Sequence, residues 1–205
     1  MELTKGISNN DISEIIITAS GGPFLETPIK KLKKIKPRQA IKHPNWKMGK
    51  KISVDSSTMM NKIFELIEAV KIFRLDISKF GIIIHPKSYI HGIVEFKTGI
   101  TKMLTHETSM QVPIFNSLYQ NNSNHSYSRK NFEFNNLNGL NFIKPDDTKF
   151  PFLKLLKSIR IKNSYFEIIL VSLNDELVKQ YLNDKISYDL LQKKLLKLIK
   201  HPYFT

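Results

Sequence analysis

The stretch Lys51–Lys62, KISVDSSTMMNK, determines how this chain is interpreted, because it crowds hydroxyls, an amide and an ammonium into one short segment. Its start, Lys51–Asp55, has the β-branched residues of a short strand. Either Ser56 or Ser57 is then placed to cap a helix that reaches about Phe73. Helical spacing predicts one buried face on it, made of Met60, Ile63, Phe64, Ile67 and Val70. We therefore predict a strand that runs directly into an amphipathic helix.

The start of this predicted helix is a candidate anion site, because free backbone N–H groups and the helix dipole favour negative charge there. Asn61 adds an amide donor and Lys62 adds a positive charge. Ordinary capping by Ser56 or Ser57 is the alternative, and it accounts for one hydroxyl only. From these residues alone, both interpretations stay open.

Glu65 lies one turn beyond Asn61 and shares its helix face. A carboxylate beside a phosphate is repelled unless a cation lies between them. Glu65 is therefore a candidate ligand of Mg²⁺ or Mn²⁺. The alternative is a solvent-exposed glutamate with no such role.

A second candidate anion site, Ser20–Phe24 (SGGPF), follows a strand predicted over Glu14–Ala19. A serine hydroxyl and backbone N–H groups, with no side chain in the way, suit a phosphate. The alternative is a tight turn that needs glycine for conformational reasons alone.

The segment His43–Gly49, HPNWKMG, contains the only tryptophan, Trp46. It is predicted to be irregular, and it is either a flap that lays the indole over a ligand or a loop pinned by a buried indole. His91 lies near a strand end, where a histidine either donates to a substrate oxygen or bonds backbone. Met110 would ordinarily pack in a core.

The rest of the chain predicts an α/β (α+β) catalytic domain with a mixed sheet at residues 1–119, a linker at 120–149, and a small all-α helical bundle at 150–205. A helix is predicted from Thr27 to Lys36, and Pro37–Lys50 is expected to be irregular. The other predicted elements are strands at Gly81–His85, Ile90–Phe96 and Ile100–Leu104, a turn at Lys97–Gly99, and a helix at Gln111–Tyr119.

Composition excludes several classes of protein. There is no cysteine, so disulfides, thiolate catalysis and cysteine-bound metal sites are excluded. No G-x-G-x-x-G occurs, and no apolar run approaches the roughly 20 residues of a membrane span. The net charge of +14 comes from 28 Lys but only 4 Arg, a poor ratio for a nucleic-acid reader. We expect a cytoplasmic protein that binds neither nucleic acid nor membrane.

Taken in order, these motifs resemble the 1-deoxy-D-xylulose 5-phosphate reductoisomerase family. The likeness runs without a break from about Ile15 to Asn116 and becomes weaker from Gln120 onward. Leu173–Glu176 is only a weak likeness of an Asn-Glu segment of that family. The matching motifs are SGGPF, HPNWKMG, KISVDSSTMMNK with Glu65 beyond it, IHPKSYIH and TSMQVPI.

The resemblance implies an enzyme that converts 1-deoxy-D-xylulose 5-phosphate to 2-C-methyl-D-erythritol 4-phosphate in the non-mevalonate isoprenoid pathway. It implies NADPH and Mg²⁺ or Mn²⁺ as cofactors, and a homodimer or a partner chain that carries the N-terminal half. The implied catalytic residues are Glu65, His43 and His91, and Glu65 would also bind the metal. The implied substrate-binding residues are Ser20, His43, Trp46, Ser56, Asn61, Lys62 and Glu65, and Gly49 and Met110 would contact the cofactor.

The resemblance also implies parts that do not occur in this sequence. Family members carry an N-terminal NADPH-binding domain and an Asp-Ser-Glu triplet that supplies two further metal carboxylates, both before the position of Ser20. Asp11 and Glu14 do not have the spacing of that triplet. We therefore expect this chain to be the C-terminal half of such an enzyme, from a truncated or split gene product, and inactive by itself. A non-catalytic phosphosugar-binding remnant is the alternative.

Overall fold

The computed structural model describes residues 2–4, 6–46, 48–119, 134–162 and 164–201. Its centre is one mixed sheet whose strands lie in the order β2-β1-β3-β4. β1 pairs with β2 in parallel and with β3 antiparallel, and β3 pairs with β4 antiparallel. This confirms the predicted fold class. The strands are β1 (Ile12–Ala19), β2 (Phe80–Ile84), β3 (Ile90–Phe96) and β4 (Thr101–Thr105).

Besides the sheet, the described residues form seven α-helices. No helix in these ranges is both long and apolar enough to cross a bilayer. Short 3₁₀ helices occur at Glu2–Thr4, Asn9–Asp11, Ile77–Lys79, Phe134–Leu137 and Pro151–Ser158. The α-helices are α1 (Ile29–Leu32), α2 (Pro37–Ala40), α3 (Lys50–Thr58), α4 (Met60–Phe73), α5 (Gln111–Tyr119), α6 (Tyr165–Leu182) and α7 (Tyr188–Leu198).

The prediction for Thr27–Lys50 is wrong in two respects. The first helix ends at Leu32 rather than Lys36, because the residue before a proline is forced out of the helical region and Lys36 is extended at φ −94° and ψ 153°. Pro37 then starts the short helix α2 within the segment that was expected to be irregular.

The strand predicted at Lys51–Asp55 is also wrong, because these residues form the helix α3. Its hydroxyls bond to carbonyls of the preceding turn: Ser53 Oγ donates to Gly49 O at 3.0 Å and Ser57 Oγ to Val54 O at 2.6 Å. A hydroxyl satisfied inside its own helix can be buried without a further partner. A polar, β-branched sequence therefore forms a buried helix here.

The predicted cap at Ser56 or Ser57 is wrong for the same reason, since both lie in the last turn of α3. The chain breaks at Met59, which is left-handed at φ 65° and ψ 11°, and α4 begins at Met60. The apolar face of α4 agrees with the prediction for Met60, Ile63 and Val70, which are fully buried. The site motif thus lies at a helix–helix corner rather than at the end of a strand.

The helices after residue 150 pack on the same apolar core as the sheet. One buried cluster contains Ile15 of β1, Ile63 of α4, Leu177 of α6 and Leu191 of α7. Residues 120–133 of the predicted linker lie outside the described residues. Further along, Ile143 pairs with Ile84 across both backbone bonds at 2.8 Å, so this part of the linker lies against β2. The division into residues 1–119, 120–149 and 150–205 stays a prediction.

Two glycines let the loop after β1 approach α3 closely. Gly21 and Gly22 have φ of +86° and +67°, which side-chain-bearing residues rarely adopt. A Cβ on Gly22 would lie 2.8 Å from Ser56 O and 3.0 Å from Ser57 Cα. The loop therefore lies directly on the backbone of the last turn of α3.

We expect Gly22→Ala to lower the free energy of unfolding by about 2–4 kcal/mol, because it adds a steric clash with backbone to the cost of a left-handed alanine. Gly99→Ala is the matched control, since Gly99 has φ of +82° but nothing within 4 Å of its Cβ position. The control should lose only about 1 kcal/mol. Chemical denaturation of both variants measures the difference, and equal losses would contradict the close contact.

Candidate functional site

The candidate site lies at the edge where the parallel strands β1 and β2 end. Ser20 follows β1, and His85 follows β2 with its N–H bonded to Ala19 O at 2.7 Å. The Gly22 contact brings the α3–α4 corner to the same edge. In α/β proteins, ligands commonly bind just beyond the carboxyl ends of parallel strands, where the loops that follow the strands converge. Two segments that the sequence marks as candidate anion sites thus meet at one place.

Ser20 and His43 are directly hydrogen-bonded, with Oγ and Nε2 3.0 Å apart. His43 Nδ1 accepts the backbone N–H groups of Asn45 at 3.1 Å and Trp46 at 3.0 Å. A neutral imidazole that accepts at Nδ1 carries its proton on Nε2, so His43 donates to Ser20. Ser20 Oγ also accepts the N–H of Gly22 at 3.1 Å. Its own hydrogen is thereby available to donate to a ligand oxygen.

His43 is held in the neutral form. Burial lowers its pKa from the ordinary value, and the positive charge of Lys62 lowers it further. A proton on Nδ1 would also face the two N–H groups that this nitrogen accepts. The site therefore presents a neutral donor at His43 and a cation at Lys62.

The segment that contains His43 and Trp46 is pinned by a residue that the sequence analysis did not single out. Asn45 Nδ2 donates to Pro86 O at 2.7 Å and to Ser88 Oγ at 2.8 Å, across the loop between β2 and β3. Asn45 lies inside the HPNWKMG motif, and that position was the signal available in the sequence. Trp46 reaches His91, with ring centroids 6.1 Å apart in an edge-on arrangement.

His91 completes this side of the site. Its Nε2 is 3.0 Å from His106 O, and because a carbonyl only accepts, Nε2 carries the proton. Burial lowers the pKa of His91 to about 4, and positive charge on His106, Lys62 and His85 opposes a proton on it as well. His91 is therefore neutral near pH 7, and its Nδ1 lacks a proton.

Lys62 and Glu65 form an ion pair with each other. Lys62 Nζ lies 2.7 Å from both Glu65 carboxylate oxygens, and the Lys62 side chain is 15% exposed against 41% for Glu65. Next to them, Asn61 Oδ1 is buried without a hydrogen-bond partner among the described residues. In the described ranges, no three His, Asp or Glu side chains form a group that could hold a metal ion.

The remaining predicted site residues are less closely connected. Ser56 is buried beside Gly22. Gly49 precedes α3 and is exposed, and Met110 is 58% exposed just before α5, so it is not the core residue that the sequence suggested. The structure thus joins Ser20, His43, Trp46, His91 and Lys62 by contacts or by charge, and leaves the predicted cofactor residues at the surface.

A buried polar network that the sequence did not reveal supports the corner. Asp55 is fully buried, accepts from Asn174 Nδ2 at 2.8 Å and pairs with Lys51 Nζ at 2.9 Å. Burial raises the pKa of Asp55 despite these partners. Asn174 belongs to α6, so the network ties the helix that carries Ser56 to the C-terminal helices. The weak Asn-Glu likeness at Leu173–Glu176 was the only signal.

Comparisons with known proteins agree with the resemblance. Residues 1–73 match a family profile described as the 1-deoxy-D-xylulose 5-phosphate reductoisomerase C-terminal domain, and residues 106–203 match one described as the DXP reductoisomerase C-terminal domain. The reductoisomerase of Pelagibacter ubique is 49% identical over 196 residues, which covers 96% of this chain and 50% of that protein. That of Aquifex aeolicus is 34% identical over 206 residues, covering 98% of this chain and 54% of that protein.

Solved structures agree as well. The reductoisomerase of Zymomonas mobilis in complex with NADPH has a TM-score of 0.84 and 33% identity, and the match covers 94% of this chain and 49% of that one. A DOX-P reductoisomerase in complex with NADPH, fosmidomycin and magnesium has a TM-score of 0.84 and 32% identity, covering 95% and 47%. The chain therefore spans about half the length of the proteins it matches.

Replacing Lys62 should change the protonation of both histidines. We expect Lys62→Met to raise the pKa of His43 and of His91, because the charge of Lys62 opposes a proton on each ring. Lys34→Met removes an equal charge from an exposed position and is the control. NMR titration of the histidine rings measures both values. An unchanged pKa of His43 and His91 in Lys62→Met would contradict the shared site.

Proposed function

Because this chain belongs to the 1-deoxy-D-xylulose 5-phosphate reductoisomerase family and corresponds to the C-terminal part of its members, we propose that it forms the substrate site of such an enzyme. The reaction isomerises 1-deoxy-D-xylulose 5-phosphate and reduces the product with NADPH to 2-C-methyl-D-erythritol 4-phosphate. The cytoplasmic location and the homodimer or two-chain assembly stay predictions from the sequence.

One observation carries this proposal: the Ser20 hydroxyl, the neutral donor His43 and the cation Lys62 converge at the edge where β1 and β2 end. A phosphate dianion needs a positive charge and several donors in a partly desolvated place. The Ser20 hydroxyl is already oriented by two donors, so its hydrogen is directed to a third group. Lys62 supplies the charge.

Asn61 and Ser56 extend the proposed phosphate site along the α3–α4 corner. Asn61 has a buried amide whose oxygen lacks a partner, and Ser56 is buried beside the glycine loop. When a phosphate is bound, Lys62 would exchange part of its contact with Glu65 for the phosphate oxygens. Glu65 would then face the substrate rather than the lysine.

His43, Trp46 and His91 would close over the sugar. Trp46 lies edge-on to His91, and Asn45 fixes the segment that carries both Trp46 and His43. An indole and two neutral imidazoles exclude water without adding charge, which protects the hydride acceptor from competing solvent. The Nε2–H of His43 donates to Ser20, whereas His91 has an unprotonated Nδ1 that could accept a hydrogen bond from the sugar.

The described residues do not by themselves make a site for Mg²⁺ or Mn²⁺. Glu65 is one carboxylate, whereas these ions bind several hard oxygen ligands. We propose Glu65 as one ligand of a set that residues outside this chain complete. The metal would polarise the substrate carbonyl. Residues outside this chain would likewise supply most of the NADPH contacts, and Gly49 and the exposed Met110 would contact the cofactor from this chain.

A non-catalytic phosphosugar-binding protein is the second candidate function. The observation that favours it is the lack of a cluster of three potential metal ligands in the described ranges, because the proposed phosphate site needs neither a metal nor NADPH. The two candidates differ in turnover rather than in binding.

We expect a chimera that joins the N-terminal half of the Pelagibacter ubique relative to this chain to oxidise NADPH with 1-deoxy-D-xylulose 5-phosphate and Mn²⁺. Glu65→Gln in the chimera should lower turnover by more than about 100-fold, because it removes a metal ligand. Glu68→Gln, an exposed glutamate on the same helix, is the control and should leave turnover unchanged. Absorbance of NADPH measures the rate.

The same assay separates the two candidates. If the folded chimera binds the phosphosugar but shows no turnover, the result would support the non-catalytic binding function and contradict the enzymatic one. Turnover by this chain alone would contradict the assignment of the missing ligands to other residues. Full activity of Glu65→Gln would remove Glu65 from the metal site.

A further inference from the structure

His106 stacks on His91 beside the candidate site, and none of the roles above uses His106. The rings of His91 and His106 are nearly parallel, with centroids 3.5 Å apart and planes inclined by 11°. The two residues are also bonded, since His91 Nε2 lies 3.0 Å from His106 O. His106 follows β4, and its own N–H is bonded to Tyr89 O at 3.3 Å. His106 therefore touches His91 through both its ring and its backbone.

The ring of His106 is fixed in turn by the residue after it. His106 Nδ1 lies 2.6 Å from Glu107 O, so that nitrogen carries a proton and the ring plane is set by a local bond. Because this bond fixes the orientation of the His106 ring, the ring presents a fixed flat face to His91. His91 packs against that surface on one side and meets Trp46 edge-on at 6.1 Å.

We propose that His106 is a positioning residue for the candidate site: it holds the His91 imidazole in one orientation and one tautomer, because its ring stacks on His91 and its backbone carbonyl accepts a hydrogen bond from Nε2–H. This leaves Nδ1 of His91 unprotonated. By fixing the His91 ring, His106 also fixes the surface against which the Trp46 indole packs. His106 therefore influences the position of Trp46 indirectly, through His91. The value of that tautomer for a substrate rests on the proposed function, whereas the ring arrangement does not.

The charges around His91 favour the same state. Lys62 of α4, His85 at the end of β2 and His106 itself all oppose a proton on His91, which is also largely buried. Two imidazolium rings stacked at this distance would repel each other strongly. Burial and the neighbouring charges therefore keep His91 neutral although its bond to His106 O alone favours a proton, and that bond places the remaining ring proton on Nε2.

The test compares His106→Ala, which removes the stacking ring, with His106→Phe, which keeps a flat ring at the same position. Nitrogen-15 NMR of the histidine rings shows the tautomer directly, and the fluorescence of Trp46, the only tryptophan, shows its surroundings. We expect the unaltered chain and His106→Phe to show a single Nε2–H tautomer for His91. In His106→Ala, mixed tautomers and a shifted Trp46 emission maximum are expected. His201→Ala, a histidine far along the chain, should change neither signal.

Thermal denaturation shows whether each variant is folded. If His106→Ala does not fold, His106→Phe still tests the proposal. A pure Nε2–H tautomer and an unshifted Trp46 emission in folded His106→Ala would overturn the proposal. Mixed tautomers in folded His106→Phe would also overturn it, because stacking would then not be what fixes the ring. Neither readout involves turnover, so failure here is distinct from failure of the proposed enzyme.

Discussion

The arrangement of the candidate site residues depends on one close backbone contact, between Gly22 and the last turn of α3. With no Cβ on Gly22, the loop after β1 lies on Ser56 and Ser57. That contact brings Ser20 to the same edge as the α3–α4 corner, which carries Asn61 and Lys62. The left-handed backbone of Met59 sets the change in chain direction between α3 and α4. The hydrogen bond between buried Asp55 and Asn174 links this corner to α6. The proposed phosphate site draws on two segments that are distant in sequence, so it requires this close packing.

The positive charge of Lys62 acts on both histidines of the candidate site. Lys62 is largely buried, and it suppresses protonation of His43 and His91, which burial already disfavours. Neutral imidazoles can donate or accept hydrogen bonds without competing for the anion. The contact with Glu65 neutralises Lys62, so this largely buried ammonium is not left unpaired.

On α4, Met60, Ile63 and Val70 are fully buried as predicted, whereas Phe64 and Ile67 are only partly buried. Local pattern was sufficient for the strands of the sheet and for this part of α4, because both have regular periodicity. It failed at Lys51–Asp55, where β-branched residues indicated a strand but serine hydroxyls bonded to their own helix allowed a buried helix. The motifs identified Ser20, His43, Trp46, Lys62 and His91, which the structure connects. Asn45 and Asn174 lie in recognisable motifs, but their contacts, like those of His106, could not be predicted, because each partner is far away in sequence and no local pattern shows such a contact. Met110 was expected in a core and is exposed.

The central claim is that this chain by itself holds an anion site between the Ser20 loop and the α3–α4 corner. The most direct measurement is an amide NMR titration of the isotopically labelled chain with inorganic phosphate and with 1-deoxy-D-xylulose 5-phosphate. We predict saturable shifts confined to Ser20–Gly22 and Ser56–Lys62, with the sugar phosphate binding more tightly than phosphate. Shifts centred on the exposed lysines of Lys30–Lys36, or no saturable shift in the folded chain, would contradict it.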